Sequence, residues 1–167
     1  MFCSNCGSSR TGITRGAYPF AESGLKNVTL DGIELLRCKR CGNVDPILPK
    51  LSEIMKVLAL AVIGKPGQLV GEEARFLRKF VSRSAEDFSK LLGVDATTLS
   101  RWENNHQPIG PQSDRLIRCV ALALADSRLR LKQRQLISET FQNIDAKTAS
   151  EITVNSETLE YEYRPAA

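Results

Sequence analysis

Histidine is almost missing from this chain: among 167 residues there is one, His106, alongside a single Trp and two Met. Serine and cysteine hydrolases built on a histidine base would have to recruit that residue. It stands in the polar stretch Asn104-Asn105-His106-Gln107-Pro108, and no nucleophile is patterned around it. There is no glycine-rich phosphate loop and no pair of carboxylates in a credible pocket context, so no enzymatic chemistry is expected. Long hydrophobic runs are also lacking. No stretch of about eighteen uncharged apolar residues exists that would span a bilayer. The first residues hold Cys3 and Cys6 where a secretory signal would need an apolar run, so a cytoplasmic protein without membrane contact is expected. Internal repeats and low-complexity tracts are absent too.

The charge present is mildly basic and unevenly spread. Lys and Arg number 23 against 19 Asp and Glu. Residues 1–70 carry nine basic and five acidic groups, residues 71–140 twelve and nine, and residues 141–167 two and five. Such a balance permits nucleic-acid binding without requiring it. The length suits one medium domain or two small ones, and small ones need a metal or a partner for stability.

Five cysteines are present, and four of them form two copies of one motif: Cys3-Ser4-Asn5-Cys6-Gly7 and Cys38-Lys39-Arg40-Cys41-Gly42. A two-residue gap brings both sulfurs of each motif to one side of a tight turn, and the glycine relieves crowding behind it. Two such knuckles supply a complete tetrahedral set of thiolates, which points to one structural Zn2+ with no coordination position left for water. The competing redox reading of Cys-x-x-Cys requires one motif beside a βαβ pattern, which is not found here. The 31 residues between the knuckles exceed ordinary ribbon spacing. The runs Lys26–Leu30 and Ile33–Arg37, separated by Asp31-Gly32, predict a β-hairpin that fills the gap. Cys119, in the apolar stretch Leu116–Leu122, is expected to be a packed core thiol.

Beyond the second knuckle the period becomes helical. Leu51–Ile63 predicts a helix ended by Gly64-Lys65-Pro66-Gly67. From Gly71 to about Asp126, breaks at Ser82–Ser84, Gly93-Val94 and His106–Pro111 divide the pattern into four short helices. Leu129–Ile144 suits a further helix. The acidic end is expected to be loosely ordered, or to form a short strand at Glu151–Val154 or Thr158–Tyr163.

Within the helical part, Ala85–Leu92 ends in Gly93-Val94, and Asp95 is a favourable N-cap for Ala96–Asn104. A short helix, a glycine turn and a capped second helix make a helix-turn-helix. Phe88, Leu91, Leu92, Val94, Leu99 and Trp102 recur at spacings that turn one face inward, with Trp102 a core anchor rather than a base-stacking ring. Thr97, Thr98, Ser100 and Arg101 are left on the outer face. Arg forms paired bonds with guanine, and Thr offers a hydroxyl or a methyl group to bases and phosphates. Arg75 and Arg78 on the preceding helix are candidate phosphate contacts, or simply surface charges.

Taken together, Gly71–Lys79, Leu92-Gly93-Val94, Leu99-Ser100-Arg101-Trp102-Glu103-Asn104 and Pro108-Ile109 resemble the Cro/λ-repressor type of helix-turn-helix. With the two knuckles, and with Tyr18-Pro19-Phe20 and Leu30-Asp31-Gly32-Ile33 between them, residues 1–125 resemble the MqsA (YgiT-type) antitoxin family. The resemblance implies a homodimeric repressor that reads palindromic double-stranded DNA through Arg101 and its neighbours, with a zinc domain that neutralises a ribonuclease toxin. Ala85 stands where this type has a phosphate-contacting Gln, and Thr97 where the antitoxins have a base-reading Asn, which implies a different operator. The alternative is a free-standing regulator whose zinc module is purely structural. The expected fold class is α+β: a small β-rich four-cysteine zinc module at residues 1–50, a connecting helix and linker at 51–70, an all-α helix-turn-helix domain of the λ-repressor type at 71–126, and a C-terminal helix and acidic tail at 127–167.

Overall fold

A computed structural model describes residues 1–125 and 150–165. The helix expected at Leu129–Ile144 lies outside the described residues. The chain is a mixed α+β protein in which strands β1 (Thr11–Pro19), β2 (Val28–Cys38) and β3 (Val44–Ile47) precede helices α1 (Leu51–Gly64), α2 (Gly71–Phe80), α3 (Ala85–Leu92), α4 (Ala96–Glu103) and α5 (Pro111–Leu124), followed by strands β4 (Ser150–Asn155) and β5 (Tyr161–Pro165).

The Asp31-Gly32 pair is not a hairpin turn. It lies inside the single long strand β2, and the turn falls earlier, between β1 and β2. Gly16 pairs with Ile33 and Tyr18 with Leu30, so Ala17 alone faces both Asp31 and Gly32. That is a β-bulge with glycine in the left-handed region, at φ +72°. The extra residue flips the side-chain alternation, so Val28 and Leu30 before it and Ile33 and Leu35 after it all point into the core. An Asp-Gly pair supplies the same backbone freedom to a bulge as to a turn, and nothing local separates the two.

The bulge also divides the far edge of β2. Val28–Asp31 pair in parallel with β4, whereas Glu34–Arg37 pair antiparallel with β3. The Asp31 carbonyl accepts hydrogen bonds from the Ser156 backbone N–H (3.0 Å) and hydroxyl (2.9 Å) in the β4–β5 turn. Residues 150–165 are therefore built into the sheet, with Ile152 and Val154 fully buried.

Helix α1 packs its Ile54, Leu58 and Val62 face into the same core that receives Leu30, Leu35, Ile152 and Val154 from the sheet and Phe76, Leu77, Phe88, Leu99 and Ile117 from the other helices. Sheet and helices thus share one apolar cluster. Cys119 is a correction to the sequence reading: it is exposed on α5, because Ile117, Arg118 and Ala121 form that helix's buried side. Apolar neighbours in sequence did not fix its face; the helical period did.

Candidate metal centre and the outer face of the fourth helix

The two knuckles have the same backbone. In the first, Gly7 N–H donates to the Cys3 carbonyl and Cys3 N–H to the Ser8 carbonyl, both at 3.0 Å. In the second, Gly42 N–H donates to the Cys38 carbonyl (3.0 Å) and Cys38 N–H to the Asn43 carbonyl (2.9 Å). Gly7 and Gly42 have φ of +65° and +75°, a conformation side chains resist. Strand pairing of Thr11 with Cys38 then brings the knuckles together at one end of the β1–β2 hairpin.

All four sulfurs lie within 4.8 Å of one another, with Cys3–Cys41 and Cys6–Cys38 each at 3.6 Å. Four thiolates about 2.3 Å from a tetrahedral ion such as zinc would have sulfurs about 3.8 Å apart, so the cluster fits a single metal ion. Cys3 and Cys38 are buried, Cys6 is half-buried and Cys41 is exposed. The Cys41 backbone amide, then that of Arg40, holds the Cys38 thiol down at about 6. Although the Ser8 amide favours the Cys6 thiolate, burial and the neighbouring sulfurs push Cys6 up to about 12. Four thiolates in this space need a cation to offset their mutual repulsion. The first knuckle is tied to β3 through Asp45, whose carboxylate accepts from the Ser4 hydroxyl (2.7 Å) and the Asn43 amide (2.8 Å). These bonds, Ser4 foremost, hold Asp45 below its usual range.

The other candidate surface is on α4. Gly93, at φ +67°, closes α3, and α4 begins at the Asp95 cap, which accepts from Thr98 N–H at 2.8 Å. The Thr98 hydroxyl donates to the second Asp95 oxygen at 2.6 Å, so this side chain is half-buried and committed to the cap. Thr97, Ser100 and Arg101 are exposed, and the Arg101 guanidinium has no protein partner among the described residues. Leu99 and Trp102 are buried on the opposite side. His106 is exposed in the following loop, where its backbone N–H donates to the Arg101 carbonyl at 2.8 Å.

Arg75, about a third exposed, and Arg78, mostly covered, are both engaged with the end of α4. Arg78 grips both carboxylate oxygens of buried Glu103 at 2.6 and 2.8 Å, while Arg75 donates to the Glu103 carbonyl and the Asn104 side chain, each at 2.7 Å. Together they fasten α2 to the end of α4, and Glu103 raises the Arg78 pKa in return. At the same junction Gly71 has no room for a side chain: a Cβ there would lie 2.2 Å from the Trp102 carbonyl oxygen.

The sequence reading missed a buried polar network around the segment joining α1 to α2. Arg118, fully buried, pairs with Asp114 at 2.6 Å and donates to the carbonyls of Ile63, Lys65 and Gly67. Buried Lys65 pairs with buried Glu73 at 2.7 Å. A signal was available in Asp114-x-x-x-Arg118, whose helical spacing places both charges beside Ile117 and Ala121 on the apolar face.

Among the described residues no helix is long and apolar enough to cross a membrane. No family model, curated protein or solved structure matches the chain.

Proposed function

We propose that the chain is a sequence-specific DNA-binding repressor, with one structural Zn2+ on Cys3, Cys6, Cys38 and Cys41, acting as the antitoxin of a ribonuclease toxin in the manner of the MqsA (YgiT-type) family. The observation that carries the DNA-binding part is the α3–α4 pair. A tight glycine turn joins two short helices, and the second buries Leu99 and Trp102 while presenting Thr97, Ser100 and the unpartnered Arg101 outward. In a helix-turn-helix the second helix enters the major groove and the first crosses the phosphate backbone. A homodimer would place two copies of α4 in half-sites about 34 Å apart on a palindromic operator. Arg101 is the residue suited to guanine, with Thr97 and Ser100 beside it. Arg75 and Arg78 position α4 instead of touching phosphate, since Glu103 holds them. Zinc, when bound, cross-links the knuckles and leaves no open position for a reactive water. No catalytic role is proposed for any residue.

The test is a gel shift of the zinc-loaded protein on its own promoter region against scrambled competitor. Specific retention that Arg101→Ala abolishes, with metal content and melting temperature unchanged, supports the reading. Equal operator affinity of the variant refutes the assignment of α4.

A second reading, a free-standing regulator with no toxin, is favoured by the way β4 and β5 complete the cysteine-bearing sheet, which gives that sheet a role in the protein's own core. Co-purification of a small basic protein encoded beside the gene decides for the antitoxin.

A further inference from the structure

Loops that join consecutive helices are ordinarily exposed and mobile. Residues 64–70 contain two glycines and a proline, yet they are held at almost every step. Arg118 donates to Ile63 O at 2.9 Å, Lys65 O at 2.6 Å and Gly67 O at 2.7 Å. Its partner Asp114 accepts the Leu69 N–H at 2.6 Å. Glu73, gripped by Lys65, accepts the Val70 N–H at 3.0 Å. The Gln68 side chain donates to the Ile109 carbonyl, and Gly71 N–H donates to the Asn105 side chain at 2.8 Å. Arg118 and Asp114 have no exposed surface, and Lys65 and Glu73 have 2% and 1%.

Burying four charges is costly, and a Gly/Pro loop could have joined α1 to α2 without any. Most of the network's bonds end on the linker backbone or on the groups that hold it. The network also reaches both sides. Glu72, next to Glu73, accepts from Lys26 of the β1–β2 connection at 2.9 Å and from Asn105 at the end of α4 at 2.8 Å.

We propose that residues 64–70 are a locked hinge, with Arg118 as its bolt, which joins the cysteine-bearing sheet to the helix carrying Arg101 as one rigid and cooperative unit. This inference does not depend on what either face binds.

The chain carries its own reporters. Trp102, the single tryptophan, lies in α4, whereas the three tyrosines, Tyr18, Tyr161 and Tyr163, lie on β1 and β5. Thermal unfolding of the full chain would be followed by tryptophan fluorescence and by tyrosine near-UV signal, with amide exchange read at Leu69 and Val70. In the wild type both optical midpoints should coincide, and Leu69 and Val70 should exchange as slowly as Leu77 and Ile117 in the core. Arg118→Lys keeps the charge beside Asp114 but loses the fork that reaches three carbonyls. It should lower protection at Leu69 and Val70 by about tenfold or more and separate the two midpoints by about 5 °C. Separate midpoints or loop-like exchange in the wild type would overturn the proposal, as would a folded Arg118→Lys protein that keeps full protection and a single midpoint. Should that variant fail to fold, the wild-type exchange rates alone decide.

Discussion

The knuckle end of the sheet and the linker between α1 and α2 solve the same problem by opposite means. Each is a short, glycine-containing stretch that cannot order itself by apolar burial. The knuckles bring four sulfurs, two of them buried, into one cluster that could hold a metal ion, and such an ion could be removed. The linker lies under the helices and is gathered by charges that belong to the chain and cannot leave. The difference teaches where this protein responds to its surroundings and where it does not. With an ion on the four cysteines, the knuckle end would depend on metal supply, whereas the centre is held by groups of the chain itself.

The comparison is broken most severely from the linker side. Arg118→Met leaves Asp114 buried without a counter-charge and three carbonyls without a donor, and denaturant unfolding should register a loss of about 3–5 kcal/mol. Gly71→Ala comes next. Its methyl group would be driven into the Trp102 carbonyl, for a loss of about 1–3 kcal/mol measured in the same way.

Chelation probes the other side. Stripping the metal should expose the amides of residues 3–8 and 38–43 to exchange and lower the melting temperature, with the tryptophan and tyrosine midpoints moving together because the linker still holds. The cysteine variants Cys3→Ser and Cys38→Ser should reproduce this in metal-replete buffer, with metal content falling in step.

The smallest effect sharpens the contrast through pH. Glu72, held first by the Asn105 amide and then by Lys26, is lowered from 4.5 to about 2. A carboxylate with a depressed folded-state pKa stabilises above its unfolded value, and that contribution fades as pH falls from about 4.5 to about 2. Glu72→Gln should therefore lower stability modestly at neutral pH and flatten the acid limb over that window, its stability meeting the wild type's near pH 2.

Much of this architecture was legible because its signals are local. Gly93, the Asp95 cap, and the breaks before α3 and after α4 marked the helices near their observed ends. The paired Cys-x-x-Cys-Gly motifs announced the sulfur cluster through chemistry that needs no fold to interpret. What escaped depends on distant partners. The parallel pairing of Val28–Asp31 with Ile152–Asn155 has no signature in either strand. Lys65 read as a helix terminator, since its partner Glu73 is assigned only once α2 has docked. Arg75 and Arg78 read as phosphate contacts or surface charges for the same reason: Glu103, which pairs with both, is brought near by folding. Thr98 divides the two cases, lying on the α4 face that the spacing marked while its hydroxyl is taken by the cap.

The pairing of β4 with β2 also sets a timetable. During synthesis at about 5–20 residues per second, β2 leaves the ribosome on the order of ten seconds before the strand that completes its edge. Over that interval the helices have already emerged, while Val28 and Leu30 wait without β4. An ion captured early by the four cysteines would brace the β1–β2 hairpin in the meantime, while the unfinished strand edge is the nascent chain's window of risk.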